Sequence, residues 1–323
     1  MKRALITGIT GQDGAYLAQF LLKKGYTVFG TYRRQSSGNF WRLHYLNIFH
    51  KIKLISADTL DSTSLYRALD VSNPSEIYHL AAQSFVGHAI EDSTITLDTN
   101  IKGTLNLLSV LTEVNNKCRF YFAGSSEMFG NCGSTPQDES TPFNPRTIYG
   151  ISKVSGYEIA KLFKNNYNMY VCCGILYNHE SPRRANIYVT KKITNFVVDL
   201  KLGSHEKLSL GDISAKRDWG YAKDYVEAMW SIVQFASPES FVISSGELHS
   251  VEDICRIAFS YFGYNYKDFI MVKDALKRPK EKTILLGDST KAKKLLGWSS
   301  SISFEDIINQ MVEKEYLLQM MKL

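Results

Sequence analysis

The sequence predicts an α/β fold: a doubly wound parallel sheet with a smaller C-terminal α/β lobe. Three observations carry this. The chain opens on a short apolar run, a glycine-spaced turn, an amphipathic helix and a second apolar run. Further apolar runs of strand length recur at 52–55, 77–80, 118–123 and 171–176, separated by helical stretches. Such alternation is the pattern of a parallel sheet covered on both faces. The run at 118–123 ends in the small residues Gly124, Ser125 and Ser126, as expected of a strand delivering a site at its carboxyl end. At 323 residues, one large domain or two modest ones are expected, and the pattern is read as two. They are a dinucleotide-binding domain at 1–175 and a substrate lobe at 176–323.

In chain order, strand 3–6 leads into Gly8-Ile9-Thr10-Gly11-Gln12-Asp13-Gly14 and a helix over 15–24. Glycines at this spacing allow a tight turn and a close pyrophosphate, which a helix N-terminus attracts. The second strand, 27–32, is followed by Arg33-Arg34-Gln35-Ser36-Ser37. An acid there would bind the ribose hydroxyl of NAD, whereas arginine accommodates the 2′-phosphate of NADP. Arg33 therefore favours NADP, with NAD as the alternative.

Strand 52–55 leads to Asp58, within reach of an adenine. Strand 77–80 ends at Leu80 and leads to Ala81, Ala82, Gln83 and Ser84, small enough to let a cofactor lie close. His79 reads as a packed strand residue. A helix over 100–114 returns to the strand at 118–123. Beyond Pro145 an amphipathic helix begins near Tyr149 and carries Lys153 one turn later, on the same face. A free phenol has a pKa of about 10, and a nearby ammonium favours its ionised form. Tyr149 is then a candidate base for a hydroxyl that Ser125 orients, and Glu127 adds a carboxylate. Tyr157/Lys161 and Tyr188/Lys192 share the spacing, but only Tyr149 follows a serine-rich strand end.

The later half is less regular. Its candidate anion-binding stretches are 178–184, 216–220 and 277–281. Guanidinium forks match phosphate oxygens, making these arginines candidate diphosphate clamps. The pattern at 304–320 predicts an amphipathic packing helix.

Composition bounds the partners. The net charge is +6, yet no basic block interleaved with aromatics appears, so an anionic small substrate is expected and nucleic acid is not. Five cysteines stand at no metal or disulfide spacing, and Cys172 and Cys173 should point to opposite faces of a strand. A thiol inventory of this kind favours the reducing cytoplasm. No apolar run is long enough to span a bilayer, no leader-like segment is read at the start, and no metal site is expected.

The chain resembles the extended short-chain dehydrogenase/reductases, whose core is a Rossmann domain. Within them it is similar to the GDP-mannose 4,6-dehydratases, nearly end to end. The resemblance rests on the glycine loop, Arg33-Arg34 with Ser36-Ser37, Ser125-Ser126-Glu127, Tyr149 with Lys153, the stretches 178–184 and 215–220, and Arg278-Pro279. It implies a lyase working by internal redox through NADP. Tyr149 takes the proton of the sugar C4 hydroxyl, Glu127 takes the C5 proton, and Lys153 tunes Tyr149 and holds the nicotinamide ribose. His179 and Arg184 match cofactor contacts. Asn178, Lys192, Arg217 and Arg278 match positions near the GDP moiety, and Ser84 is expected at both cofactor and substrate. Homodimers or homotetramers are implied, and a place in surface-polysaccharide sugar supply.

Four departures concern the sugar. Ser125 replaces a usual threonine, Ala81 a glycine, and Phe85 a histidine. The run Ala185-Asn186-Ile187-Tyr188 replaces one that begins with glycine. GDP-D-glycero-manno-heptose is therefore an alternative substrate. Among other functions, a nucleotide-sugar epimerase or 4-ketoreductase needs no C5 base and leaves Glu127 unexplained. A non-enzymatic NADP-binding regulator leaves Tyr149 and Lys153 unexplained.

Overall fold

A computed structural model describes residues 2–36, 38–85, 92–276 and 283–321. The chain begins β1 (Arg3–Thr7), α1 (Gln12–Lys23), β2 (Thr27–Tyr32), α2 (Trp41–Tyr45), β3 (Lys53–Ser56), α3 (Ser62–Ser72) and β4 (Glu76–His79). It continues α4 (Ser93–Leu97), α5 (Gly103–Asn115), β5 (Arg119–Ser125), α6 (Ile148–Tyr167), β6 (Val171–Leu176), β7 (Asn178–Glu180) and α7 (Val189–Lys201). It closes with β8 (Leu208–Leu210), β9 (Lys216–Tyr221), α8 (Ala222–Gln234), β10 (Ser240–Ile243), β11 (Leu248–Ser250), α9 (Val251–Ser260), β12 (Ile270–Val272), α10 (Thr290–Leu296) and α11 (Phe304–Met320).

Seven strands form one sheet in the order β10-β6-β5-β4-β1-β2-β3. All six pairings are parallel, which confirms the doubly wound prediction. The order reverses between β1 and β4, so their carboxyl ends flank the crevice where such sheets bind ligands. Both sheet faces are buried. Ala4, Ile6, Tyr78, Tyr121 and Cys172 pack with Val226 and Met229 of α8 on one side. Leu5, Ile77, Phe120, Phe122 and Cys173 pack with Leu107 of α5 and Ala160 of α6 on the other. Cys172 and Cys173 thus face opposite ways, and all five cysteines are free thiols.

The expected division at residue 175 is not where the sheet ends. β10 joins it beside β6, and α8 packs on α1. The strand is only four residues long, too short for periodicity to separate it from the irregular stretches around it. The lobe has a three-stranded sheet, β11-β9-β7, and a two-stranded one, β12-β8. Its core joins α7, α9 and α11 through Ile193, Val197, Ile254, Phe259, Ile307 and Met311, so α11 does pack as read.

The predicted strands fall within two residues of their expected bounds, and two helices differ. α1 starts at Gln12 rather than residue 15. The helix expected over 100–114 is α4, a π-helical turn (Asp98–Lys102), then α5. Such π turns often mark functional positions.

Candidate active site

β5 ends at Ser125, whose hydroxyl accepts the Glu127 amide at 3.3 Å and so turns the chain at the strand end. Thr147 caps α6. Its hydroxyl accepts the Gly150 amide at 2.9 Å and donates to the Glu127 carboxylate at 3.4 Å. Gly150 is needed there, because a Cβ would fall 2.5 Å from the Glu127 carbonyl oxygen. The first turn of α6 therefore rests on the segment that carries Glu127. This brings Ser125, Glu127 and Tyr149 together. Ser125 and Tyr149 are buried, and Glu127 is half-buried.

The electrostatics differ from the sequence expectation. Burial raises the Tyr149 pKa well above that of a free phenol, Tyr188 and Glu127 push the same way, and Ser125 and Arg184 oppose them. Lys153 stands beside Tyr149 but takes another acceptor. Its ammonium donates to the Ala123 carbonyl at 2.8 Å and lies 5.8 Å from the centre of the Tyr149 ring. Burial brings the lysine itself down to about 8.

The glycine loop forms a cradle that fits a dinucleotide. A Cβ on Gly8 would meet the Ala81 backbone at 2.9 Å, and one on Gly14 would meet the Gly8 carbonyl at 2.5 Å. Gly8 also has a φ of 72°, which only glycine adopts readily. Gly11 sits at the N-cap of α1 without a side-chain cap, which leaves the first amides of a twelve-residue helix for an anion. Thr7 supports the far wall by accepting the Ala81 amide at 3.1 Å.

The side chains of Gln12 and Asp13 have partners across the cleft. Gln12 donates to the His179 carbonyl at 3.2 Å and accepts from Ser181 at 2.7 Å. His179 places Nε2 2.8 Å from the Asp13 carboxylate and Nδ1 2.7 Å from the Tyr177 carbonyl. Both ring nitrogens face acceptors, the pattern of an imidazolium. Burial opposes the pair, yet the charge and hydrogen bond of His179 bring Asp13 to about 2. Burial likewise opposes protonation of His179, but Asp13 leaves its pKa raised. Arg184 lies 3.2 Å from Glu180, its guanidinium 3.6 Å over the Tyr188 ring.

The other candidates are distributed around this cleft. Arg33 is exposed just past β2. Asp58 lies past β3 and accepts the Leu60 amide at 3.0 Å. Leu80, Ala81, Ala82 and Ser84 follow β4, with Leu80 and Ala81 against Gly8 and Ser84 against Tyr188. Asn178 and Arg217 lie on adjoining strands, since β7 pairs with β9. Lys192 is exposed on α7, whereas its neighbour Lys191 is buried against Glu315 at 2.6 Å. Arg278 lies outside the described residues, as do Lys277 and Ser37. His79 is packed as expected, between Thr7 at 2.9 Å and Thr104 at 3.1 Å. Burial, then the Lys153 charge, brings it to about 3, so it is neutral.

Three residues of the site escape sequence reasoning. Asn100 accepts the Gln83 amide at 2.8 Å and donates to Ser152 at 2.9 Å, and Ser152 donates to the Tyr149 carbonyl at 2.7 Å. It ties the loop after β4 to α6 across long sequence separations. Arg42 donates to the Thr10 and Arg183 carbonyls at 3.0 and 2.8 Å, and so braces the glycine loop. Thr147 carried a signal, a threonine just ahead of a helix. Among the described residues, no three metal-ligating side chains come together, and no helix is long and apolar enough to cross a membrane.

A nucleotide cradle at the sheet's reversal point, beside a Ser–Tyr–Lys set, defines an extended short-chain dehydrogenase/reductase. Over residues 5–311 the chain matches the family described as GDP-mannose 4,6 dehydratase, and it belongs to that family. It is 44% identical over 324 residues to GDP-mannose 4,6 dehydratase 1 of Arabidopsis thaliana, covering 97% of this chain and 90% of that protein. Against the human GDP-mannose 4,6 dehydratase the identity is 42% over 337 residues, with 97% and 91% covered. Among solved structures, DesIV of Streptomyces venezuelae is a dTDP-glucose 4,6-dehydratase with NAD and TYD bound. It superposes with a TM-score of 0.87 at 22% identity, covering 98% of this chain and 97% of that one. It shares the fold.

Proposed function

We propose that the chain dehydrates a GDP-manno-configured sugar, GDP-mannose in the first instance, to the GDP-4-keto-6-deoxy sugar. One observation carries the reading: a carboxylate, Glu127, shares a strand end with the Ser125 hydroxyl and the Tyr149 phenol, and Thr147 ties it to their helix. Oxidising or epimerising a sugar at C4 needs one acid/base group; removing hydrogen from C5 needs a second.

In this reading Ser125 orients the C4 hydroxyl and Tyr149 takes its proton. The C4 ketone acidifies the C5 hydrogen, which Glu127 removes, and the C6 hydroxyl leaves as water with a proton from Glu127. NADP, when bound, would supply the acceptor for the C4 hydride and the hydride donor at C6, C5 taking a proton in return, and the positive charge of its oxidised nicotinamide ring would oppose the burial that keeps Tyr149 protonated. NADP, with NAD as the alternative, is held by the loop Gly8 to Gly14 and by Leu80, Ala81, Ala82 and Ser84. Arg33 serves the 2′-phosphate, Asp58 the adenine, Tyr149 and Lys153 the nicotinamide ribose, and His179 and Arg184 complete the set. Asn178, Lys192, Arg217 and Arg278 serve GDP.

The free thiols favour a cytoplasmic setting. Exposed apolar side chains on neighbouring helices, Leu105 of α5 with Ile151 and Leu162 of α6, favour a homodimer or homotetramer. The decisive experiment is incubation with GDP-mannose without added NADPH. A 4-keto-6-deoxy product supports the reading; a C4 epimer, or no conversion, rejects it.

A further inference from the structure

Tyr188 belongs to the third Tyr-x-x-x-Lys pair, whose spacing no part of the proposed chemistry uses. It is the N-cap residue of α7, and its ring is held on two sides. The Arg184 guanidinium lies 3.6 Å over one face. Phe85, from the loop after β4, meets it edge-on with centroids 5.6 Å apart. With the ring fixed, its hydroxyl lies 3.1 Å from the Ser84 hydroxyl. Ser84 is exposed, and the pair joins the loop after β4 to the start of α7.

We infer that Tyr188 is a substrate-positioning residue whose hydroxyl, paired with Ser84, receives a hydroxyl of the bound hexose. Two hydroxyls bonded to each other share one proton between them. The second proton and the remaining lone pairs stay available, a match for a sugar hydroxyl, which both donates and accepts. Charge on Tyr188 disfavours charge on Tyr149, while Arg184, stacked on the Tyr188 ring, favours it. The phenol is then a specificity device. A site built to bond a hydroxyl discriminates against a sugar lacking it more strongly than an apolar pocket does.

The inference rests on the dehydratase reading, and its test keeps the two apart. Tyr188→Phe retains the ring and its stacking and removes one oxygen; Ser84→Ala removes the other partner. Each variant is assayed with GDP-mannose, and GDP-mannose, GDP and NADPH binding are titrated. Each should lose roughly tenfold in kcat/KM and in GDP-mannose affinity, the size of one neutral hydrogen bond. GDP affinity should stay within twofold in both variants, and NADPH affinity within twofold in Tyr188→Phe, which alters no residue assigned to the cofactor. The double variant should be little worse than either single one, because the two oxygens act as a unit. Unchanged GDP-mannose kinetics, an equal loss of GDP affinity, or fully additive losses would each overturn the inference while the dehydratase reading stands. If the wild type makes no 4-keto product from GDP-mannose, that reading fails and the inference falls with it.

Discussion

Lys153 donates its ammonium hydrogen bond to the carbonyl oxygen of Ala123, 2.8 Å away, at the end of the central strand β5. This buried contact has a thermodynamic cost. Burial lowers the lysine from 10.5 to about 8, so the folded chain binds this proton less tightly than the unfolded chain does. Below about pH 8 both states hold the proton and the folded state carries the penalty. Between about pH 8 and 10.5 the folded state releases it first, and stability from this group rises with pH. Lys153→Met should therefore melt a few degrees higher than the wild type at pH 7 without nucleotide. The gap should close as the pH approaches 10, and turnover should be lost throughout. Thermal melts across this range check it, and a variant less stable at pH 7 would contradict it.

Tyr149→Phe should bind NADP and GDP-mannose as the wild type does, and lose turnover by about 10²–10⁴-fold, the usual contribution of a positioned acid/base. Tyr157, half-buried and bonded by Ser240, should tolerate the same change. Steady-state rates of the two variants decide which pair serves the chemistry.

Glu127→Gln keeps the shape and removes the second base. The variant should bind both ligands and complete at most the first oxidation, seen as one equivalent of reduced cofactor absorbing at its usual wavelength. Product made by the wild type in D₂O should carry deuterium at C5. Near-normal dehydration by the variant would move the base elsewhere.

Arg33→Glu should weaken NADP much more than NAD, because reversing the charge strikes only the ligand with a 2′-phosphate. Fluorescence titration of both nucleotides measures this. Equal losses would remove Arg33 from the 2′-phosphate.

The sugar pocket differs from the family pattern at Phe85 and Ile187. Phe85 is half-buried against Tyr188, and Ile187 is exposed beside it. GDP-D-glycero-manno-heptose should accordingly be turned over with a kcat/KM at least equal to that of GDP-mannose. A large preference for GDP-mannose would return the pocket to the simpler family pattern.

Local features of this fold were legible before the structure. The glycine loop, the strand end at Ser125 and the helix that begins near Tyr149 depend on residues close in sequence. Pairings made across the molecule were not. Asn100 meets Gln83 and Ser152, Tyr188 meets Ser84, and His179 meets Asp13, over separations that no periodicity encodes. Spacing puts Lys153 on the same helix face as Tyr149 but does not say which acceptor its longer side chain takes, here the Ala123 carbonyl.

β10 carries a consequence for how such enzymes diverge. The nucleotide-binding sheet is completed only after the chain has built β7, α7, β8 and β9, so part of the sugar lobe is looped out of the sheet rather than hung from its end. A fragment stopped at residue 175 would lose α8 from one sheet face and leave β6 as an unpaired edge, a template for aggregation. Exchanging sugar preference between relatives therefore requires transplanting an inserted segment with two matched junctions, near 176 and near 222. The lobe beyond 243 is a separate cut. Inheritance of a new specificity by simple domain shuffling is closed to this architecture, and point substitution at positions such as 85, 187 and 188 is the open route.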